Sequence, residues 1–512
     1  MKKRVFALIG VILLICTVFL CSCSATGKSE KISSIEDLEN KKVGVLTGSV
    51  FDMVAKKYIP NCDVEYLNSN VDTALALEKG KISAYVMDKP FAELLINKYP
   101  NHKILQLLSE EHYGYIFNKD SQKAQKLREQ MNLYIEKLKS DGSLERLKEK
   151  WFGTDEDIKT VDTESLTGEN GTIAFSITSD VGMPFVYVKD GKYVGFDIDM
   201  TVGFCKEYGY GIEISDSNAS GMLIAVSTGK ADFGASCVTI TEERKESMLF
   251  SEPYYTGGST LVVKDFDVQE EKLSFIGEIA KSFKKTFIEE SRWKIFAFGI
   301  LTTLGISLLS LLLGTLIGFL LYLIYRCGNK VYVWIMDRIM SFMKKMPPVI
   351  ILMVFYYVVF GDSGVPGFWV SVIVFTGLFA FELIGLFKNG VNTVDIGQGE
   401  AALALGYTKT QTFLKIIFPQ ALRYVIPEYR GAAVSLVRDT TIVGYIAVQD
   451  LTKVTDIIRG RTYEAIFPLL VTAIVYYLIA TFTIRILVRI NNSVDNKKRS
   501  EDAILKGVKR ND

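Results

Sequence analysis

The chain has 512 residues, 49% of them apolar and 23% charged, with a formal net charge of +1. This balance argues against a strongly basic nucleic-acid binder and an acidic solvating tail. Seven scattered cysteines without a C-x-x-C pair do not make a disulfide framework, and two histidines, His102 and His112, argue against a His-based metal site or hydrolase. The mean hydropathy of +0.21 is too high for a soluble protein and too low for an all-membrane one, so it averages two unlike parts, and the length suggests three or four domain-sized units.

Lys2, Lys3 and Arg4 precede an apolar run over 5–22, the pattern of an export signal. The run ends Leu20-Cys21-Ser22-Cys23, which resembles a bacterial lipobox with Cys23 as the lipidated residue. The alternative is an uncleaved anchor helix, since about 18 apolar residues can span a bilayer. Either way, residues 24 onward are expected outside the cytoplasm.

Residues 30–265 alternate short β-rich runs with amphipathic stretches: Lys42–Val45, a helix near 49–58, then Val64–Leu67. That alternation predicts parallel sheets covered by helices. Leu127, Met131, Tyr134, Ile135, Leu138, Leu144 and Leu147 have helical spacing across 121–150. Residues 153–170 are polar and aperiodic, as in a linker. Phe275, Ile279, Phe283 and Phe287 then recur every four residues with lysines between, predicting an amphipathic helix that lies on the membrane as an elbow or packs within the domain.

From Trp293 the composition becomes apolar. Five spans are expected, at Ile295–Tyr325, Pro347–Phe360, Pro366–Phe387, Val425–Val448 and Ala465–Val488. With the α/β part outside, the segments 326–345, 388–424 and the tail after 489 fall inside, and all three are basic, as the positive-inside rule requires. The intervening external segments, 361–366 and 448–464, are poorer in charge, although the second carries Lys453, Arg459 and Arg461. Arg438 and Asp439 stand inside the fourth span, where they pair with each other or line a pathway.

Residues 400–419 read EAALALGYTKTQTFLKIIFP. They resemble the EAA loop of ABC importer permeases, with Glu400, Ala401, Ala402, Gly406, Ile416 and Pro419 at matching positions and Phe418 in place of a leucine. The resemblance implies a cytoplasmic coupling helix that docks on an ATPase subunit. Gly299–Leu304, Met346-Pro347-Pro348 and Leu436–Val443 resemble elements of the polar amino-acid branch of that family. No G-x-x-x-x-G-K-[ST] loop occurs, so ATP hydrolysis by that route falls to a partner and no cofactor is expected in this chain.

Residues 183–200, 229–244 and 250–255 resemble family-3 type solute-binding proteins for polar amino acids, as do Ile35–Ser49, Gly80–Asp88, Asp141–Leu144 and Glu149–Gly153. The resemblance implies that Arg244 and Thr239 hold a ligand carboxylate, with added contacts from Ser49 and the Gly48 amide, and that Asp88 holds its ammonium. A guanidinium fork suits a carboxylate. The segments occur in permuted order, the second lobe and C-terminal end preceding the start of the first lobe. A linker of about 18 residues can join the old termini, because it reaches about 25 Å; two half-domains completed by another chain are the alternative. Gly182 and Ala219 stand where the family carries ligand-stacking aromatic rings, and Cys237 replaces a smaller residue.

The expected fold is thus a two-lobed α/β periplasmic-binding-protein-like (type II) domain followed by an all-α membrane domain of five transmembrane helices. The expected organisation is 1–23 signal or anchor, 24–152 second lobe and C-terminal return, 153–170 linker, 171–265 first lobe, 266–292 linker and elbow, 293–490 permease and 491–512 cytoplasmic tail. The expected role is a fused binding and permease subunit of an amino-acid importer in a bacterial cell membrane. Its expected partners are an ABC ATPase and a second permease chain, identical or not. A ligand-gated channel shares the two-lobe ligand core, but it needs a pore loop and second-lobe sequence after the spans, and the sequence offers neither. No nucleophile, base and metal set suggests an enzyme.

Overall fold

The computed structural model describes residues 31–153, 155–179, 182–268, 275–326, 328–361 and 363–494. The expected export signal, Cys23 as its expected lipidation site, and the tail from 495 lie outside the described residues.

The strands in chain order are β1 (Lys42–Leu46), β2 (Asp63–Leu67), β3 (Ala84–Asp88), β4 (His102–Tyr113), β5 (Ile116–Asn118), β6 (Thr172–Ile177), β7 (Tyr187–Lys189), β8 (Lys192–Val194), β9 (Gly211–Asp216), β10 (Phe233–Gly234), β11 (Met248–Phe250) and β12 (Tyr255–Lys264). Two five-stranded sheets form, in the orders β2-β1-β3-β12-β4 and β11-β5-β10-β6-β9. β1, β2 and β3 run parallel, as do β6, β9 and β10, and their central strands are apolar on both faces, as helix-covered strands must be.

The chain passes between the sheets twice, from β4 to β5 and from β11 to β12. These two passages join the lobes. β12, expected in the first lobe, pairs antiparallel with β3 and β4 and so belongs to the second. Period and composition mark it as a strand but cannot say which sheet it joins. Strands from 116–118 and 172–250 complete the first sheet within one chain, so both lobes are assembled from this polypeptide.

The new ends of the second lobe lie together: Lys31 Nζ sits 2.8 Å from Asp267 Oδ2. The polar segment after 154 is strapped along the first lobe by Lys192 to Glu164 and Lys206 to Asp162, at 3.0 and 3.4 Å. The helical stretch expected over 121–150 is two helices, Gln122–Ser140 and Ser143–Phe152, divided by a turn at Asp141-Gly142.

Beyond the two-lobed domain the chain is helical. Trp293–Arg326, Gly367–Asn392 and Phe467–Arg489 are each long and apolar enough to cross a membrane. Two bent pairs also meet that test when each is taken together: Lys330–Lys345 with Pro348–Val359, bent by 106°, and Lys409–Ile446 with Leu451–Thr462, bent by 54°. The helical region therefore holds between three and five candidate spans among the described residues, not five straight ones. Pro347 and the helix start at Pro348 explain the first bend, since proline removes a backbone donor and pushes the preceding residue out of helix.

Trp293–Arg326 and Gly367–Asn392 pack closely because Gly314 and Gly318 stand one turn apart on the contact face. A Cβ on Gly318 would meet the Ala380 carbonyl oxygen at 2.8 Å. The expected elbow is a helix, Phe275–Phe283, continued by a wider turn over Lys284–Ile288. Ile276, Ile279, Phe283 and Ile288 are exposed, while Phe287 packs edge-on against Phe296.

Candidate functional site

Gly48, Ser49, Asp88, Thr239 and Arg244 line one cavity of about 70 Å³ between the lobes, together with Asn70, Thr178, Ala219, Ser236 and Cys237. Gly48 and Ser49 follow β1, and Asp88 ends β3, so parallel strands deliver all three to one edge of the second lobe. Thr239 and Arg244 flank Thr241, whose side chain accepts from the Arg244 amide and caps the short helix Glu242–Ser247.

Arg244 bridges the lobes. One Nη donates to the Thr239 carbonyl at 3.1 Å and the other to the Gly48 carbonyl, also at 3.1 Å. Burial lowers the guanidinium's pKa, against the raising influence of Glu111. The Ser49 hydroxyl donates within its own turn, to the Leu46 carbonyl at 2.6 Å, so its lone pairs rather than its proton are offered to the Phe51 amide and the cavity.

Asp88 is buried, and Tyr113 donates its hydroxyl to Oδ1. Burial, and then the charge of Glu111, push its carboxyl up to about 8, against the Tyr113 hydrogen bond and Arg244. Such a carboxyl is poised for a cation brought close to it. Glu111 was not expected at the site from sequence. It accepts from Thr239 Oγ1 at 3.0 Å and from Ser259, and so supports Thr239 from behind. Its position in β4, opposite β12, is set by sheet register, which the sequence does not display. Cys237 donates its amide to Asp197 Oδ2 at 3.0 Å, and burial pushes the thiol well up.

Gly182 and Ala219 both face the helical region. A Cβ on Gly182 would lie 3.4 Å from the Gly460 carbonyl, and Ala219 borders a second cavity floored by residues of that region. The segment 448–464, expected as an external connection, contains the helix Leu451–Thr462, and this helix fastens the two units together. Lys453 Nζ lies 3.4 Å from Asp216 Oδ1 of the first lobe, Arg459 pairs with Asp72 of the second, and Glu464 reaches Lys98 at 2.7 Å. Arg461 binds Glu290 beside the elbow, with Nε 3.1 Å from Oε1. The basic residues there were visible in the sequence; their carboxylate partners, hundreds of residues away, were not.

The segment carrying Glu400 folds as a helix, Ile396–Ala404, that ends before Gly406 at φ +86°. Glu400 and Ala401 are exposed and Ala402 is buried. Thr408 and Gln411 form a capping box that starts the next turn, and Pro419 opens the helix Phe418–Asp439. Ile396, Leu403 and Leu405 are exposed beside Glu400. Arg326 stacks over the Phe413 ring at 3.6 Å, while the Leu451 amide donates to Thr303 Oγ1 at 3.1 Å. The exposed segment and the two-lobed domain therefore lie toward opposite ends of Trp293–Arg326, a helix about 50 Å long at about 1.5 Å per residue. Arg438 donates to Ser435 Oγ at 3.3 Å.

Bacterial extracellular solute-binding proteins of family 3 match residues 176–421. The arginine transport system permease protein ArtQ of Bacillus subtilis (strain 168) is 27% identical over 206 residues, covering 40% of this chain and 92% of that protein. A Rickettsia typhi permease protein, named GlnP for a glutamine transport system, is 30% identical over 188 residues, covering 35% of this chain and 84% of that protein. A crystal structure of an amino acid ABC transporter with histidines superposes with a TM-score of 0.38 at 22% identity, covering 44% of this chain and all of that one.

Proposed function

Because the chain belongs to the family of amino-acid ABC transporter permeases, with a family-3 solute-binding unit in the same polypeptide, we propose that it captures an amino acid outside the cell and passes it through its own spans. The observation that carries this reading is Arg244 spanning the interlobe cavity that also holds Asp88. Arg244 and Thr239 clasp the ligand carboxylate, the Gly48 amide adds a contact, Ser49 adds one once its hydroxyl turns from the Leu46 carbonyl, and Asp88 takes the ammonium. To do so Arg244 exchanges its two carbonyl acceptors for a carboxylate, a stronger, charge-assisted partner. Closing the lobes then buries the ligand. The names of the relatives point to a polar or cationic side chain, such as that of glutamine or arginine.

Energy comes from ATP hydrolysed by a separate subunit, which engages Glu400, Ala401, Ala402 and Gly406. Both bent pairs count as spans in this reading, giving five, with the binding domain outside and the C-terminus inside. A second permease chain, identical or related, completes the pathway. The elbow Phe275–Phe283 lies on the outer leaflet with Ile276 and Phe283 in lipid. Covalent tethering keeps the binder at high effective concentration over its permease.

Calorimetry of the purified full chain against the twenty standard amino acids tests the reading. One or a few should bind, and Arg244→Ala and Asp88→Ala should each weaken binding at least tenfold. An unchanged affinity in both variants overturns the site. Ligand-evoked ion current with no ATPase present overturns the importer itself.

A further inference from the structure

Among the described residues that line the interlobe cleft, only Asp88 and Arg244 carry charge, one of each sign, and the ligand's ammonium and carboxylate engage both. The rest of the lining is neutral. Phe51, Phe91, Met222 and Leu223 are apolar, and Thr178 offers a hydroxyl. Thr178 is 1% exposed, and that hydroxyl has no hydrogen-bond partner among the described residues, so its capacity is unused. A charged ligand side chain would be buried here without a counter-charge, which is strongly unfavourable. A short apolar group or a hydroxyl meets no such penalty.

The cleft is also small. Arg244 of the first lobe already donates to the Gly48 carbonyl of the second, so about 70 Å³ is the room left with the lobes drawn together. Further closure can only reduce it. At roughly 10–15 Å³ for each water-sized group, it holds about five to seven non-hydrogen atoms. Glycine, alanine, serine and cysteine fall in that range; glutamine and arginine exceed it. Leu46, Thr47, Thr178 and Ala219 wall the cleft off from the larger cavity beside it.

Cys237 occupies part of the remaining room. Burial, then the charges of Asp88 and Asp197, push its thiol well up against the opposing influence of Arg244, so the sulfur stands among the residues of the head group. Its backbone lies at φ +46°, in the left-handed region that favours glycine. The buried Asp197 carboxylate holds it there by accepting its amide at 3.0 Å. A backbone shaped for a residue with no side chain thus carries one in the wall of the cleft.

We propose that Cys237 sets the size of the ligand, restricting the cleft to small, uncharged α-amino acids no larger than serine or cysteine. The proposal rests on the reading of the cleft as an amino-acid site. It narrows that reading from the side chains suggested by the relatives' names to those the cleft can hold.

Calorimetry of the purified full chain against the twenty standard amino acids provides the test, in wild type, Cys237→Gly and Cys237→Ser. Wild type should bind glycine, alanine, serine or cysteine at least tenfold more tightly than any larger amino acid. Cys237→Gly suits the backbone angle and should fold; it should gain at least tenfold in affinity for threonine, valine or asparagine. Cys237→Ser, close to cysteine in size, should keep the wild-type order. Tightest wild-type binding of an amino acid larger than cysteine, or an unchanged order of affinities in Cys237→Gly, overturns the proposal and leaves the cleft reading intact. So does a Cys237→Ser variant that widens the range as Cys237→Gly does, since the sulfur and not its size would then decide. If no amino acid binds the wild-type chain, or if Arg244→Ala binds as well as wild type, the cleft reading fails and the size limit with it.

Discussion

Lys453 and Asp216 face each other across the junction of permease and binding domain, 3.4 Å apart, with side chains 4% and 1% exposed. The lysine also donates to the Ser217 carbonyl at 3.2 Å, and Asp216 accepts from the Ser179 amide at 2.9 Å. Removing one member of such a buried pair strands the other, at a cost of about 3–5 kcal/mol. Lys453→Met and Asp216→Asn should therefore each lower uptake at least tenfold by loosening the docked state. The double variant should be little worse than either single one. If the two losses multiply in a double-mutant cycle, the pair is not the fastening it is taken for.

If Asp88 takes the ligand ammonium as proposed, capture should depend on pH. Its carboxyl is raised from 3.8 to about 8, chiefly by burial and then by Glu111. An ammonium ligand binds the ionised form, so binding below pH 8 releases a proton. Affinity should rise between pH 6 and 8, by up to about tenfold per unit, and level off above. The native protein holds this proton more tightly than the unfolded chain does. Asp88 thus makes stability fall as pH rises from about 4 to about 8. Isothermal titration at several pH values should give this slope in wild type and a flat, weaker profile in Asp88→Asn. An equal slope in the variant removes Asp88 from the site.

The residues that converge on the cleft were legible because each sits in a short local pattern: Gly48 and Ser49 after a strand, Asp88 at the end of one, Arg244 three residues beyond a helix cap. What escaped was set by long-range pairing. Glu111 reaches Thr239 because the end of β4 pairs with the 238–240 segment, Tyr113 bridging Thr239, and β12 changed lobe through its pairing with β3 and β4. Lys453 and Arg459 read as ordinary loop charges until Ser217, beside Asp216, and Asp72 are brought to them from 236 and 387 positions away. The bends at 345–348 and 446–451 also stayed hidden, because hydropathy measures the apolar length of a span and not its straightness.

Gly318 fixes how closely two of the long helices approach. Its absent side chain leaves room for the Ala380 carbonyl, which a Cβ would meet at 2.8 Å against backbone that cannot swing away. Gly318→Leu should separate Trp293–Arg326 from Gly367–Asn392 and lower the thermal midpoint of the detergent-solubilised chain by several degrees, with a change of about 1–3 kcal/mol from overpacking. Gly377→Leu, at a position where an added Cβ meets nothing within 4 Å, is the matched control and should change the midpoint little. Equal shifts for the two would show that this close approach is not limiting.

The segment around Glu400 should transmit force without touching the ligand. Its exposed Ile396, Leu403 and Leu405 form an apolar edge beside Glu400, and Gly406, at φ +86°, turns the chain back so that the Tyr407 amide donates to the Ala402 carbonyl at 3.1 Å. A β-branched residue at that backbone angle costs about 1–2 kcal/mol and tilts the helix. Gly406→Val and Leu405→Asp should therefore reduce co-purifying ATPase and amino-acid-stimulated ATP hydrolysis at least tenfold. Amino-acid affinity should stay within twofold, because the cleft lies toward the other end of a helix about 50 Å long. Stimulated hydrolysis at the wild-type rate in both variants would place the ATPase contact elsewhere on the chain.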